Sequence, residues 1–493
     1  MRALLVTTIG AACAGALLLP LAPTESAQSM LSGKRSTSAE DAAPPAAPRG
    51  PGGAQRGDRA AAEDGGSVPG STQSLSLRPR GEGTRSGDKL LSKWEDDPSG
   101  GRRVTSRKVK PFSLVGVVWD DPGAVPPGRL QVQSRAGGTG KWSAWRTLDT
   151  HGDGSPEPGE RDRSGAKALG ATAPLWVGDS TAVRVRIMPG SDRTSASGTE
   201  ADGAEARGTS RGKQAAEAGL PAGARLELVD PGKSPGASSR AGGTRHARDG
   251  DDPEKRPGGV LPELNRADTR STYGDEAADA TPSKQDRAED SRIGPRPQIV
   301  TRKGWGADET LREREFTYSR TVKAAFVHHS AETNDYSCGD VPAIIRGIYR
   351  YHVESSHWRD IGYNFLVDKC GKIYEGRAGG VAKPVMGAHT LGFNADTTGI
   401  AVLGTYSTTV PSKAVRRALS ELTAWKLGVH GVDASGKVTL TSDGGTKYKK
   451  GSRATLNAVS GHRDGFTTEC PGEKLYRELP GVRTEAGRLQ GRR

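Results

Sequence analysis

Aromatic residues make up only 5% of this 493-residue chain and hydrophobic residues 33%, too few to line one continuous core along its whole length. A single large globule is excluded, and the folded part is expected to be smaller than the length suggests. Four cysteines exclude a cystine-rich scaffold. No long apolar run follows Ala22, which excludes a bundle of membrane-spanning helices. Acidic residues are in deficit, 58 Asp and Glu against 71 Lys and Arg, giving a net charge of +13 and a pI of about 9.6. That surplus attracts polyanions. No DNA or RNA motif accompanies it, so nucleic acid is not an expected partner, and basic residues that merely solvate unfolded flanks give the same balance.

What is present falls into segments. Met1-Arg2, an apolar stretch from Ala3 to Ala22 and Pro23-Thr24-Glu25-Ser26-Ala27 read as a signal peptide over 1–27; about 20 apolar residues are also enough for one membrane anchor. Cleavage leaves no stable span and sends the protein to the cell wall or medium. Residues 28–93 hold no aromatic residue before Trp94 and read as a disordered leader. Short alternating runs, Phe112–Leu114, Leu130–Val132, Trp142–Trp145, Leu175–Val177, Val183–Ile187 and Leu226–Leu228, predict a small antiparallel β-sandwich over 94–230, with a solvated insertion at 189–219. A disordered linker is expected over 231–296 and a tail over 484–493.

Between them, residues 297–483 alternate helix and strand signals, predicting an α/β domain with a mixed sheet flanked by helices. Lys323 to His329 and Gly399 to Gly404 read as buried strands, and Tyr363–Asp368 with Lys372–Glu375 as a hairpin. Asp340-Val341-Pro342 marks a helix start, with Val341, Ile345, Ile348 and His352 on its inner face. Pro411 opens a second helix whose inner face is Val415, Ala418, Leu422 and Trp425.

The chemistry is concentrated at the ends of this domain. Ala325-Phe326-Val327-His328-His329-Ser330 closes a strand, and Gly461-His462-Arg463-Asp464 is followed by Cys470-Pro471-Gly472. Two imidazoles and a thiolate leave one tetrahedral position of Zn²⁺ for water, the arrangement of a hydrolytic site. Strand alternation allows only one of His328 and His329 to face the metal. His462 needs a partner for its second nitrogen, and backbone or the Asp464 carboxylate are the candidates. With Cys13 in the signal and Cys470 on the metal, Cys338 and Cys370 remain as a pair. In an exported chain they are expected to form a disulfide closing a loop of about 32 residues, worth roughly 3–4 kcal/mol.

Residues 297–483 resemble the peptidoglycan recognition protein and type 2 N-acetylmuramoyl-L-alanine amidase family. The motifs are Gly304-Trp305-Gly306-Ala307, Val327-His328-His329-Ser330, Trp358 to Phe365, Tyr374-Glu375-Gly376-Arg377, Gly387-Ala388-His389-Thr390, Asn394, Gly461-His462-Arg463-Asp464 and Thr468 to Gly472. The resemblance implies zinc on His328, His462 and Cys470, with Tyr363 and Thr468 assisting hydrolysis of the amide between the muramic acid lactyl group and L-Ala. Tyr363 is also the candidate base, since no carboxylate in these motifs has a claim. His389 and Asn394 line a substrate groove or cap a loop, and Arg377 pairs with a stem-peptide carboxylate or braces its loop. His352 belongs to the core, and His357 and His430 to the surface. Members that only bind typically lack the cysteine, so Cys470 separates an enzyme from a recognition module. The expected partner is peptidoglycan, with anionic wall polymers drawn by the basic flanks, and the expected state a monomer.

Overall fold

The computed structural model describes residues 68–77, 89–90, 94–98, 101–106, 109–126, 128–150, 167–188, 220–233, 259–279 and 292–492. The expected signal peptide, most of the leader and the 189–219 insertion lie outside the described residues. Among the described residues no helix is long and apolar enough to cross a membrane.

The N-terminal domain is β-rich. Its strands are β1 (Ser71–Ser76), β2 (Lys89–Leu90), β3 (Glu95–Asp96), β4 (Arg102–Ser106), β5 (Phe112–Trp119), β6 (Arg129–Ala136), β7 (Arg146–Thr147), β8 (Gly170–Ala171), β9 (Leu175–Met188) and β10 (Arg225–Asp230). They run β2-β1-β10-β5-β9-β4-β3, with β6 beside β9, β7 beside β6 and β8 beside β5. The two runs expected at Leu175 and Val183 are one 14-residue strand, β9, which pairs first with β5 and then with β4 and β6. The Trp142–Trp145 run contributes one isolated bridge, Arg135 to Trp142. The domain also starts earlier than expected. β1 lies inside the predicted leader yet pairs along its whole length with β10, and Val68, Leu75 and Leu77 are buried. Ladder hydrogen bonds and three apolar anchors order a serine-rich stretch whose composition suggests disorder.

The second domain is the expected mixed sheet. Its strands are β11 (Val260–Leu261), β12 (Ile299–Val300), β13 (Ala324–His329), β14 (Phe365–Val367), β15 (Ile373–Glu375) and β16 (Thr397–Val402), then a separate hairpin of β17 (Lys437–Thr441) and β18 (Arg453–Asn457), and finally β19 (Val459–Gly461). The order is β11-β12-β15-β14-β16-β13-β19. β13 lies between parallel neighbours and every residue of it is buried, as a two-sided central strand requires. Helices α1 (Arg266–Asp279), α2 (Arg302–Trp305), α3 (Val341–Arg350), α4 (Lys413–Val429), α5 (His462–Gly465) and α6 (Glu473–Leu489) surround it. Cys338 and Cys370 form the expected disulfide.

Two boundaries move. The predicted linker contributes β11, which pairs with β12, and α1, whose Tyr273 packs edge-on against Trp425 at 5.6 Å. The predicted tail is helix α6 through Leu489, after which the buried Gln490 amide donates to the Ala424 and Val432 carbonyls, each at 3.0 Å. A few anchoring residues within long polar stretches decide both cases.

Helix α3 is not amphipathic in the expected one-sided sense. Val341, Ile344, Ile345, Ile348 and Tyr349 are all buried, because one face lies on the mixed sheet and the other on Leu114, Val118 and Val229 of the N-terminal domain. The helix continues as a π turn, Tyr351–Ser355. Its Tyr351 hydroxyl reaches the Val117 and Thr172 carbonyls at 3.2 and 3.0 Å. Arg346 donates to the carbonyls of Pro231 (2.9 Å), Gly232 (3.2 Å) and Trp305 (2.7 Å), tying both domains together. The N-terminal domain is therefore docked, not tethered.

A Cβ at Gly116 would lie 2.4 Å from the Tyr351 ring. Gly116→Ala is expected to destabilise the two-domain unit by about 1–3 kcal/mol, seen as a lower urea midpoint. An unchanged midpoint would show that the two domains do not pack as described.

Candidate metal centre

His328 sits near the end of β13, whose register places Val327 opposite Gly461 of β19. His462 is the next residue after that strand and opens α5, so the sheet delivers the two rings side by side, 4.4 Å apart. Cys470 returns from the following loop with Sγ 3.8 Å from His328 Nδ1, and the His329 backbone N–H donates to that sulfur at 3.4 Å. One donor atom from each of His328, His462 and Cys470 lies within 4.8 Å of the others, and all three residues are buried.

The donors are prepared for a cation. Burial, with the charges of His462, His389 and His329, holds His328 well below its ordinary pKa. Burial and His329 push His462 down to about 3. Both imidazoles are neutral at pH 7, as a ligand must be. Both ring nitrogens of His462 are buried without a hydrogen-bond partner, a loss of about 1–3 kcal/mol per group; a metal at the lone-pair nitrogen relieves one of the two. The residues present fit a tetrahedral N/N/S site.

The surrounding shell differs from expectation in part. Asp464 does not orient His462: one carboxylate oxygen accepts from the Gly461 N–H at 2.8 Å and the other from the Tyr476 hydroxyl at 2.7 Å, so it fixes the turn that carries His462. His329 faces elsewhere, Nδ1 lying 3.4 Å from the Tyr406 nitrogen, and is held at a pKa of about 4 chiefly by burial. Asn394 caps a loop, accepting from the His389 and Thr390 N–H groups at 2.7 and 2.8 Å. Arg377 braces another, donating to the Ile361 and Met386 carbonyls at 3.0 and 2.9 Å. His389 is fully buried; a Cβ at Gly399 would lie 2.4 Å from its ring, so only glycine leaves room for it.

Tyr363 is buried with its ring 5.4 Å from that of His328, and Thr468 Oγ1 accepts the Cys470 N–H at 3.1 Å. His352 is core, stacked on Trp358 at 4.3 Å. His430 is half-buried rather than at the surface, with Nε2 3.0 Å from the Ala382 carbonyl.

Three contributors escaped the sequence reading. Thr390 Oγ1 stands 3.5 Å from His328 Nε2 and 3.1 Å from His389 Nδ1, bridging the ligand's far nitrogen to the loop. Asp149 of the N-terminal domain lies close enough for its charge to raise the pKa of His329 and His462 against burial. The β17–β18 insertion meets the loop carrying Cys470 through Lys447 Nζ on the Arg463 carbonyl, 2.5 Å, and Thr446 Oγ1 on the Thr467 N–H, 3.2 Å. Only Thr390 had a signal, its place beside His389 in a matched motif.

Residues 318–473 match the family model of N-acetylmuramoyl-L-alanine amidase, and residues 62–215 that described as Rv3811 N-terminal galactose-binding domain-like. Peptidoglycan-recognition protein SC2 of Drosophila simulans is 31% identical over 183 residues, 37% of this chain and 84% of its own. The human N-acetylmuramoyl-L-alanine amidase is 31% identical over 183 residues, 36% of this chain and 27% of its own.

Removing the Thr390 hydroxyl frees the far side of His328. Thr390→Val is expected to weaken metal binding about tenfold in a chelator competition; unchanged affinity would deny it an orienting role. Acid should also unfold the metal-free protein early. His329, His352, His389, His430 and His462 have folded pKa values of about 4, 3, 3, 3 and 3, below the ordinary value near 6.5. The stability they contribute is present above about pH 6.5 and lost as pH falls towards those values, at about 1.4 kcal/mol per unit and group. Against a typical total of about 5–15 kcal/mol, thermal melts should collapse by about pH 5. A melting temperature that holds steady down to pH 4 would contradict the buried neutral assignment.

Proposed function

This chain belongs to the family of peptidoglycan recognition proteins and N-acetylmuramoyl-L-alanine amidases, and on that premise we propose that it is an exported zinc amidase that cuts peptidoglycan between the muramic acid lactyl group and L-Ala. The observation that carries the reading is Cys470, buried beside His328 and His462 with a backbone N–H on its sulfur. A soft thiolate with two imidazoles suits Zn²⁺. Three protein donors leave one position open, which a purely structural site closes with a fourth.

Bound zinc supplies Lewis acidity and a water of lowered pKa. The protein supplies the rest. The β13–β19 register and the Cys470 loop hold the donors, and Thr390 fixes the His328 ring. The Tyr363 phenol, flanking His328, is assigned to donate a hydrogen bond to the lactyl carbonyl oxygen as charge grows there. Thr468 accepts the Cys470 N–H through its oxygen, which leaves its own proton for the same oxyanion. His389, Asn394 and Arg377 shape the cleft wall from within.

Muropeptides incubated with the protein should yield stem peptides with a free L-Ala amino group by mass spectrometry, and a chelator should abolish them. Tyr363→Phe should lower kcat about 10²-fold with zinc content unchanged. Fragments cut only at glycosidic bonds would overturn the amidase reading, and activity indifferent to chelation would overturn the metal.

A further inference from the structure

The N-terminal domain has two outer sheet faces, and they differ. Along β5, Leu114 and Val118 join the cluster shared with α3, while Val115 and Val117 fill the domain's own core. That core is closed on the far side by Val104 of β4, Leu130 and Val132 of β6, and Val183, Val185 and Ile187 of β9. Side chains alternate along a strand, so the residues between these apolar ones face away from both the core and the second domain. They are Arg103, Gln131, Gln133, Arg184 and Arg186.

Register assembles them into rungs. Arg103, Arg186 and Gln131 are cross-strand neighbours, and one step along the sheet Thr105, Arg184 and Gln133 are the next. Arg186 Nε donates to Gln131 Oε1 at 2.8 Å and Arg184 Nη1 to Gln133 Oε1 at 3.2 Å. Each guanidinium also covers an indole from the following loop: Arg184 lies 3.9 Å from the Trp142 ring centre and Arg186 4.3 Å from that of Trp145. Arg129 and Arg135 stand exposed at the ends of β6. Against these cations the face sets Asp97, 3.6 Å from Arg186, and Glu95, paired in register with Arg103. Cation–π stacking and the glutamine bonds hold the planar forks in place before any ligand arrives, which lessens the ordering cost of binding.

We propose that this face binds a linear anionic wall polymer in which sugar or polyol units alternate with phosphodiesters. Fixed guanidinium forks suit phosphate oxygens, and the half-buried indoles stacked on them keep some apolar surface for the intervening units. The charge excess of the face matches a polyanion. Its function is retention on the wall. It does not depend on the amidase reading: retention without hydrolysis and hydrolysis without retention are separate outcomes.

The test sediments the full-length protein with isolated walls rich in phosphodiester polymers, and with the same walls stripped by hydrofluoric acid, which cleaves phosphodiesters. Wild type should bind stripped walls about tenfold more weakly. Arg184→Gln/Arg186→Gln should bind untreated walls about tenfold more weakly than wild type and be indifferent to stripping, while Arg417→Gln, an exposed arginine on α4, should behave as wild type. Arg184→Lys/Arg186→Lys keeps the charge, loses the fork and should fall between. Wild-type binding unchanged by stripping, or a folded glutamine variant that binds as wild type, would overturn the proposal. Should the glutamine variant fail to fold, the stripping arm and the lysine variant decide.

Discussion

Donors from two distant segments, His328 on one and His462 with Cys470 on the other, meet because β13 and β19 run parallel with Val327 opposite Gly461. Shift that register by one residue and His328 turns to the other face of the sheet, leaving His462 and Cys470 without it. The same central placement makes β13 continuous in its burial, and burial is what keeps the imidazoles neutral. One packing decision therefore sets both the geometry and the protonation state of the site. The loops around it then serve that decision: Asp464 pins the turn after β19, and Asn394 pins the loop carrying Thr390.

The helix that covers the sheet couples the two domains to this centre. In the π turn that ends it, Tyr351 bonds to the N-terminal domain, and its neighbour His352 accepts the Gly362 N–H at 3.2 Å, one residue before Tyr363. Adjacent residues thus hold the interface and the floor beneath the candidate catalytic tyrosine. The N-terminal domain in turn places Asp149 within electrostatic reach of His329 and His462. An excised second domain would expose α3 and lose that charge, so the folded unit extends well before residue 297.

Much of this was legible in the sequence. The order of motifs identified the domain, and β13, the β14–β15 hairpin, α3 and α4 followed from apolar runs and helix-start signals. The cysteine count and export logic identified the Cys338–Cys370 bond. What could not be read depended on contacts between distant segments. β1 carries only Leu75 as an apolar residue and is held by β10; β11 and α1 rest on Leu261 and Tyr273 within a polar stretch. The second buried face of α3 looks like one more apolar turn until a partner is found for it. Asp464, a carboxylate two residues on from His462, is near enough in sequence to suggest an orienting role, but the helical turn points it back at Gly461.

The central claim is a site of one thiolate and two imidazoles that leaves a position open for water and substrate. Zinc K-edge absorption spectroscopy of the zinc-loaded protein reports that donor set directly. The account predicts one sulfur near 2.3 Å and about three nitrogen or oxygen donors near 2.0–2.1 Å, two of them imidazole. A first shell without sulfur, or with two or more sulfurs, would contradict it.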